Sequence, residues 1–165
     1  MKALSKIKNA VDFVLKWFCI ILLGIMSVLV VYQVFARQVL NSPAMITEIA
    51  TQYMFVWLVM LGGAYVFGLR EHISVTILKD RYSPFVNMLV EILIHLTLLA
   101  LAAAVTISGG LRHTIAQMGT LDAALQIPFG YINSAVPISG VVIIFYSVYN
   151  CFLAVSEYKA TQTTV

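Results

Sequence analysis

The sequence predicts an all-α integral membrane protein with four transmembrane helices, and three observations carry that prediction. No Asp, Glu, Lys or Arg occurs from Trp17 to Ala36, Ile49 to Leu69, Ile92 to Leu111 or Ala123 to Ser156. Each run meets the roughly 20 helical residues needed to cross a hydrocarbon core about 30 Å thick. The chain is 61% hydrophobic and 10% charged, where a soluble domain carries about 25% charged residues. Backbone groups in lipid must be satisfied within their own segment, so these runs span as helices. A single four-helix membrane domain is expected over residues 1–165, with helices over about 12–38, 44–69, 83–111 and 128–158.

The first helix follows a lysine-rich lead-in with Leu4, Ile7, Val11 and Val14 at helical spacing. That lead-in forms either a short amphipathic helix along the interface or an extension of the first span with solvated lysines. No small-x-small cleavage site follows the apolar run, so an uncleaved signal anchor is expected. Asn41-Ser42-Pro43 has turn chemistry, and its proline suits the first turn of the second helix. Glu71 to Tyr82 interleaves Ile73, Val75, Ile77 and Leu78 with charges, as a segment lying on the membrane surface would. Ser83 and Pro84 supply a cap and a first-turn residue for the third helix. The next link, about 112–127, has Gly119 and Asp122 as breakers. The fourth run is too long for one span, so its first part belongs to that link and the helix begins near Pro128. Pro137 is expected to kink it.

Charge fixes the expected orientation. Lys2, Lys6, Lys8, Lys16, Arg70, Lys79, Arg81 and Lys159 lie on one side, against Arg37 and Arg112 on the other. The positive-inside rule puts both termini in the cytoplasm. The net charge of +3 is small and forms no basic patch on a folded surface, which excludes a nucleic-acid-binding reading.

Ionisable residues inside a span are candidates for function, and here the middles of the runs have none. His95 comes nearest, with Asn87 and Glu91 on the same helical face. The spacing allows a proton relay or a polar stripe that meets headgroups or a partner subunit. Arg37 and Glu48 end and begin neighbouring helices, so they read either as an ion pair fixing the hairpin or as two hydrated interfacial charges. Gln33, one turn before Arg37, could join such a cluster. Cys19 and Cys151 lack Cys-x-x-Cys spacing and read as packing residues. Trp57 falls mid-span, outside the interfacial belt, and reads as a large packing residue. Ala100, Ala104 and Ser108 repeat at every fourth position, as do Ala64 and Gly68, and Gly62, Gly63, Gly109 and Gly110 add small residues. Such faces let helices approach closely, within the unit or against a larger membrane partner. No catalytic residue and no cofactor- or metal-binding set is expected, and the inverted repeat of a complete transporter is missing.

From Arg37 the chain reads RQVLNSPAMITEIATQYMFVWLVMLGGAYVFGLREHISV. This resembles the small membrane subunit of tripartite ATP-independent periplasmic (TRAP) transporters, the DctQ family. Members show an arginine ending helix 1, a tryptophan-and-acidic-pair segment opening helix 2, then an aromatic-rich core, a glycine and an Arg-x-x-x-His-type segment. Arg37, Glu48, Trp57, Gly62 and His72 match, with Arg70 only two residues before His72. Met45 stands at the usual tryptophan and Thr47 at the first acidic position, which leaves Glu48 alone.

The resemblance implies a non-catalytic subunit in the bacterial inner membrane. Its partners would be a large multi-spanning subunit that carries substrate and sodium, and a periplasmic binding protein. It implies organic-acid substrates of the dicarboxylate, keto acid or sialic acid class, a scaffolding role in the stationary part of an elevator-type transporter, and help in docking the binding protein. The alternatives are a self-sufficient small homodimeric transporter, which would need a mid-membrane carboxylate, and a membrane enzyme subunit.

Overall fold

The computed structural model describes residues 2–40, 45–69 and 84–163. Among them the chain is helical apart from the helix ends and an irregular link over 117–128, which holds one isolated bridge, Leu121 to Pro128. Four helices are long and apolar enough to cross a membrane: Leu4–Gln38, Met45–Gly68, Met88–Ala116 and Phe129–Ser156.

Helix α1 (Lys2–Gln38) runs without a break for 37 residues, about 55 Å at 1.5 Å per residue. The lysine-rich lead-in is therefore an extension of the first span and not a separate interfacial helix. No helix breaker stands between the two parts, and Lys8 and Asp12 form an i,i+4 ion pair along the lead-in. Helix α2 covers Met45–Gly68.

The third span departs from the expected single helix. Helix α3 (Pro84–Leu101) opens on its proline and passes into a π-helical segment, Ala102–Gly109, followed by α4 (Gly110–Ala116). The Gly110 N–H reaches back to Val105 O, the i→i−5 bond that widens a helical turn. Thr106 and Ser108 hydroxyls donate to the carbonyls of Ala102 and Ala104 inside this segment. The helix continues to Ala116, five residues past the expected end at Leu111, because neither Arg112 nor His113 breaks a helix.

The fourth span carries a one-residue irregularity. Helix α5 (Phe129–Asn133) is separated by Ser134 from α6 (Ala135–Thr163). Pro137 was expected to kink this helix, and the irregularity lies in the turn before it, with Ser134 N–H to Gly130 O and Ile138 N–H to Ser134 O carrying helical bonds across. A proline ring clashes with the carbonyl four residues back, here that of Asn133, where α5 ends.

The helices form an open row. α1 packs along α2, α2 along α6, and α6 along α3 and the π segment. The residues after α2, including Arg70 and His72, lie outside the described residues, as does the surface segment expected over Glu71 to Tyr82.

Close approach in the row is set by three glycines. A Cβ on Gly68 would meet the Tyr146 ring at 2.5 Å, and one on Gly110 would meet Val136 at 2.9 Å. Gly140 takes the Thr106 side chain against its backbone in the same way. Ala102, Thr106 and Gly110 therefore face α6. Ala100, Ala104 and Ser108 are offset from them by two positions, about 200° around a helix, and are exposed.

Candidate functional site

Three polar clusters hold the row together. The first lies where α1 passes α6. Lys8 Nζ is 2.7 Å from Asp12 Oδ2, and the Tyr146 hydroxyl donates to Asp12 Oδ1 at 2.5 Å. Lys8 also sits 6.0 Å from the centroid of the Tyr149 ring. Tyr146 is 1% exposed and forms a core with Leu15 and Leu61, against which Val11, Cys19, Trp57 and Tyr65 pack. A carboxylate here is stabilised because both of its oxygens accept bonds, one of them from a cation.

The second cluster ties the α1–α2 hairpin. Gln33 Nε2 donates to Thr47 O and to Thr51 Oγ1, both at 2.9 Å, while the Thr51 hydroxyl donates to Thr47 O at 2.7 Å. Arg37 and Glu48 are both exposed and do not pair with each other. The hairpin is closed by an uncharged amide whose planar head reaches a backbone carbonyl and a hydroxyl together.

The third cluster organises the link at residues 117–128. Asp122 is 7% exposed, and its Oδ1 accepts from the backbone N–H groups of Ala124 and Leu125 at 2.9 and 2.8 Å. Its Oδ2 accepts from the Tyr53 hydroxyl at 2.5 Å. The Leu125 N–H, followed by the Tyr53 hydroxyl, holds this carboxyl below its ordinary range, against the opposing effect of burial. Phe129 stacks edge-on with Tyr53, their centroids 6.2 Å apart, which fixes the start of α5 over the same point of α2.

The other residues singled out in the sequence divide by position. Trp57 is half-buried against the Leu15–Leu61–Tyr146 core and meets Phe18 in a T-shaped pair at 6.3 Å. Gly62 faces the Cys19 sulfur, whereas Gly63 faces open space. Ala64 and Gly68 are buried inside the unit. Glu91 is 7% exposed, which places it within the chain and not on a stripe turned to headgroups.

Asp12, Tyr146, Tyr53 and Asp122 were not singled out as contacts by the sequence. The signal available for Asp12 was its i,i+4 spacing from Lys8, and for Asp122 its isolation as the one charge between His113 and Glu157.

Chemically, these clusters consist of acceptors matched to donors across helix contacts. Among the described residues no three His, Cys, Asp or Glu side chains converge to hold a metal ion.

Comparison with known proteins agrees with this picture of a membrane component. Residues 26–157 match the family model for tripartite ATP-independent periplasmic transporters, DctQ component. A TRAP transporter small permease protein of Haemophilus influenzae is 35% identical over 82 residues, 50% of this chain and 51% of that protein. In that match the chain spans about half the length of its curated relative.

Proposed function

The chain belongs to the DctQ family of tripartite ATP-independent periplasmic transporter components, and we propose that it is the small, non-transporting membrane subunit of such a system. One observation carries this reading: the four spans lie in an open row, α1 against α2, α2 against α6 and α6 against α3. A row encloses no lumen, and the described polar clusters join helix to helix. In this reading the subunit is a wall that scaffolds a large multi-spanning partner, which carries the substrate and couples its uptake to sodium. The substrate class is organic acids, among them dicarboxylates, keto acids and sialic acids.

Both termini face the cytoplasm of a bacterial inner membrane, in line with the Lys/Arg distribution. The Gln33–Thr47 end then faces the periplasm and helps to dock a binding protein. Arg37 and Glu48, exposed at that end, and Ala100, Ala104, Ser108 and Gly63, exposed along the spans, are the surfaces offered to the partners. Trp57 and Gly62 shape the inner contact of α1 with α2. Arg70 and His72 belong to the family-like segment of the sequence.

The test is affinity purification of the chain from its native membrane. Recovery of a much larger multi-spanning protein is the expected result. Sodium-driven organic-acid uptake by this chain alone in liposomes would overturn the proposal.

A further inference from the structure

The link between the third and fourth spans does not have the surface of a segment standing in water. Met118, Leu121, Ile127 and Tyr131 are between 41% and 60% exposed. Asp122 is the only charged residue from Thr114 to Ser156, and its carboxylate is turned inward onto Tyr53, Ala124 and Leu125. The outer surface of this link therefore carries no formal charge.

Much of its backbone is paired within the link itself. Asp122 N–H donates to Ile127 O, Gln126 N–H to Asp122 O, Phe129 N–H to Thr120 O and Gly130 N–H to Gln117 O, at 3.0 to 3.2 Å. Irregular backbone close to hydrocarbon requires this, because lipid offers the peptide groups no partner.

Depth is fixed by the contact with α2. Tyr53 lies eight residues beyond Met45, which puts its Cα roughly 12 Å inside the end of that helix. The link thus sits beside the outer part of α2 and not beyond its tip. The exposed apolar residues Leu111 and Ile115 of α4 lead into Met118 and Leu121, and the exposed Arg112 is the last charge before the link.

We infer that residues 117–131 form a membrane-interface element, whose Met118, Leu121, Ile127 and Tyr131 side chains contact lipid at the boundary between headgroups and acyl chains. The occupant is the bilayer itself. A link with an apolar surface and no outward charge, following an interfacial arginine on the preceding helix and ending in an exposed tyrosine, matches that boundary.

Spin labels at Leu121→Cys and, independently, Ile127→Cys test the inference in the full chain. The background is Cys19→Ser with Cys151→Ser, and the vesicles contain phosphatidylethanolamine and phosphatidylglycerol, with and without the large membrane subunit. Val28→Cys serves as the lipid reference and Lys6→Cys as the water reference. The ratio of oxygen to nickel-chelate collisions at both loop sites is expected to shift toward the Val28 value. A ratio like that at Lys6 would put the link in water. Shielding from both reagents only when the large subunit is present would make the patch a subunit interface. Either result overturns the inference. Photolabelling of the unmodified chain with a diazirine lipid gives a reading free of substitutions, and adducts within 117–131 are expected.

Discussion

The Tyr146 hydroxyl donates to Asp12 Oδ1 at 2.5 Å, joining residues 134 positions apart in the sequence. α1 and α6 are not packed along their lengths, so this contact, with the Leu15–Tyr146 packing beneath it, anchors the end of the long first helix. Tyr146→Phe keeps the ring and removes the bond. It is expected to cost about 1–2 kcal/mol, with faster amide exchange over the first turns of α1. Asp12→Ala should cost more, because it also leaves Lys8 without its carboxylate. Thermal unfolding in detergent, with hydrogen exchange, checks both.

Gly68 lets the Tyr146 ring of α6 lie directly against the backbone of α2. Gly68→Ala puts a methyl group 2.5 to 2.8 Å from three atoms of the Tyr146 ring, and that ring is fully buried. Overpacking of this kind costs about 1–3 kcal/mol. Gly62→Ala, whose nearest neighbour is 3.9 Å away, should leave the melting temperature unchanged. The same is expected of Gly63→Leu and Ala104→Leu, which face outward. If they act, it should be on recovery of the large subunit and not on the melting of this chain.

The hairpin gives a direct contrast between amide and charges. Gln33→Leu removes two donated bonds, while Thr47 O keeps its bond from Thr51. A loss of about 1 kcal/mol is expected. Arg37→Ala and Glu48→Ala, both at exposed sites, should each stay within about 0.5 kcal/mol. A larger loss from the charge variants than from Gln33→Leu would show that the charges close the hairpin.

Asp122 makes stability depend on pH in acid. Its folded-state pKa lies below the ordinary aspartate value of 3.8, so the folded protein binds the proton less readily than the unfolded chain. The stabilisation is therefore fully present above about pH 4 and is lost as pH falls through the folded value. Asp122→Asn should flatten this acid-side fall in melting temperature. Tyr53→Phe, which removes one of the three donors, should flatten it in part.

The count and extent of the spans were legible because hydropathy is a local, additive property of consecutive residues. The proline opening α3 was legible for the same reason, since first-turn chemistry acts over a few residues; the turn expected at Asn41-Ser42-Pro43 lies outside the described residues. The π segment was not legible. Ala102 to Gly109 reads as an ordinary apolar helix, and its widened turn comes with the packing of Thr106 onto Gly140. The irregularity at Ser134 was half legible: Pro137 announced a disturbance, and the geometry of its ring clash moved it one turn back.

The inward and outward sorting of small residues was the least readable feature. In a soluble protein the buried face is the apolar one, so the hydrophobic period reveals it. In lipid the outside is as apolar as the inside, and Ala100-Ala104-Ser108 and Ala102-Thr106-Gly110 look equally suited to either. By itself, the sequence determined that this chain crosses a bilayer four times as a member of one transporter-subunit family, because charge-free length and a local motif suffice for that. Tertiary structure alone decided which faces meet, that Gln33 and not Arg37 closes the hairpin, and that Asp12 and Asp122 find tyrosines on distant helices. Those outcomes depend on the rotation and axial offset of one helix against another, which no window of consecutive residues encodes.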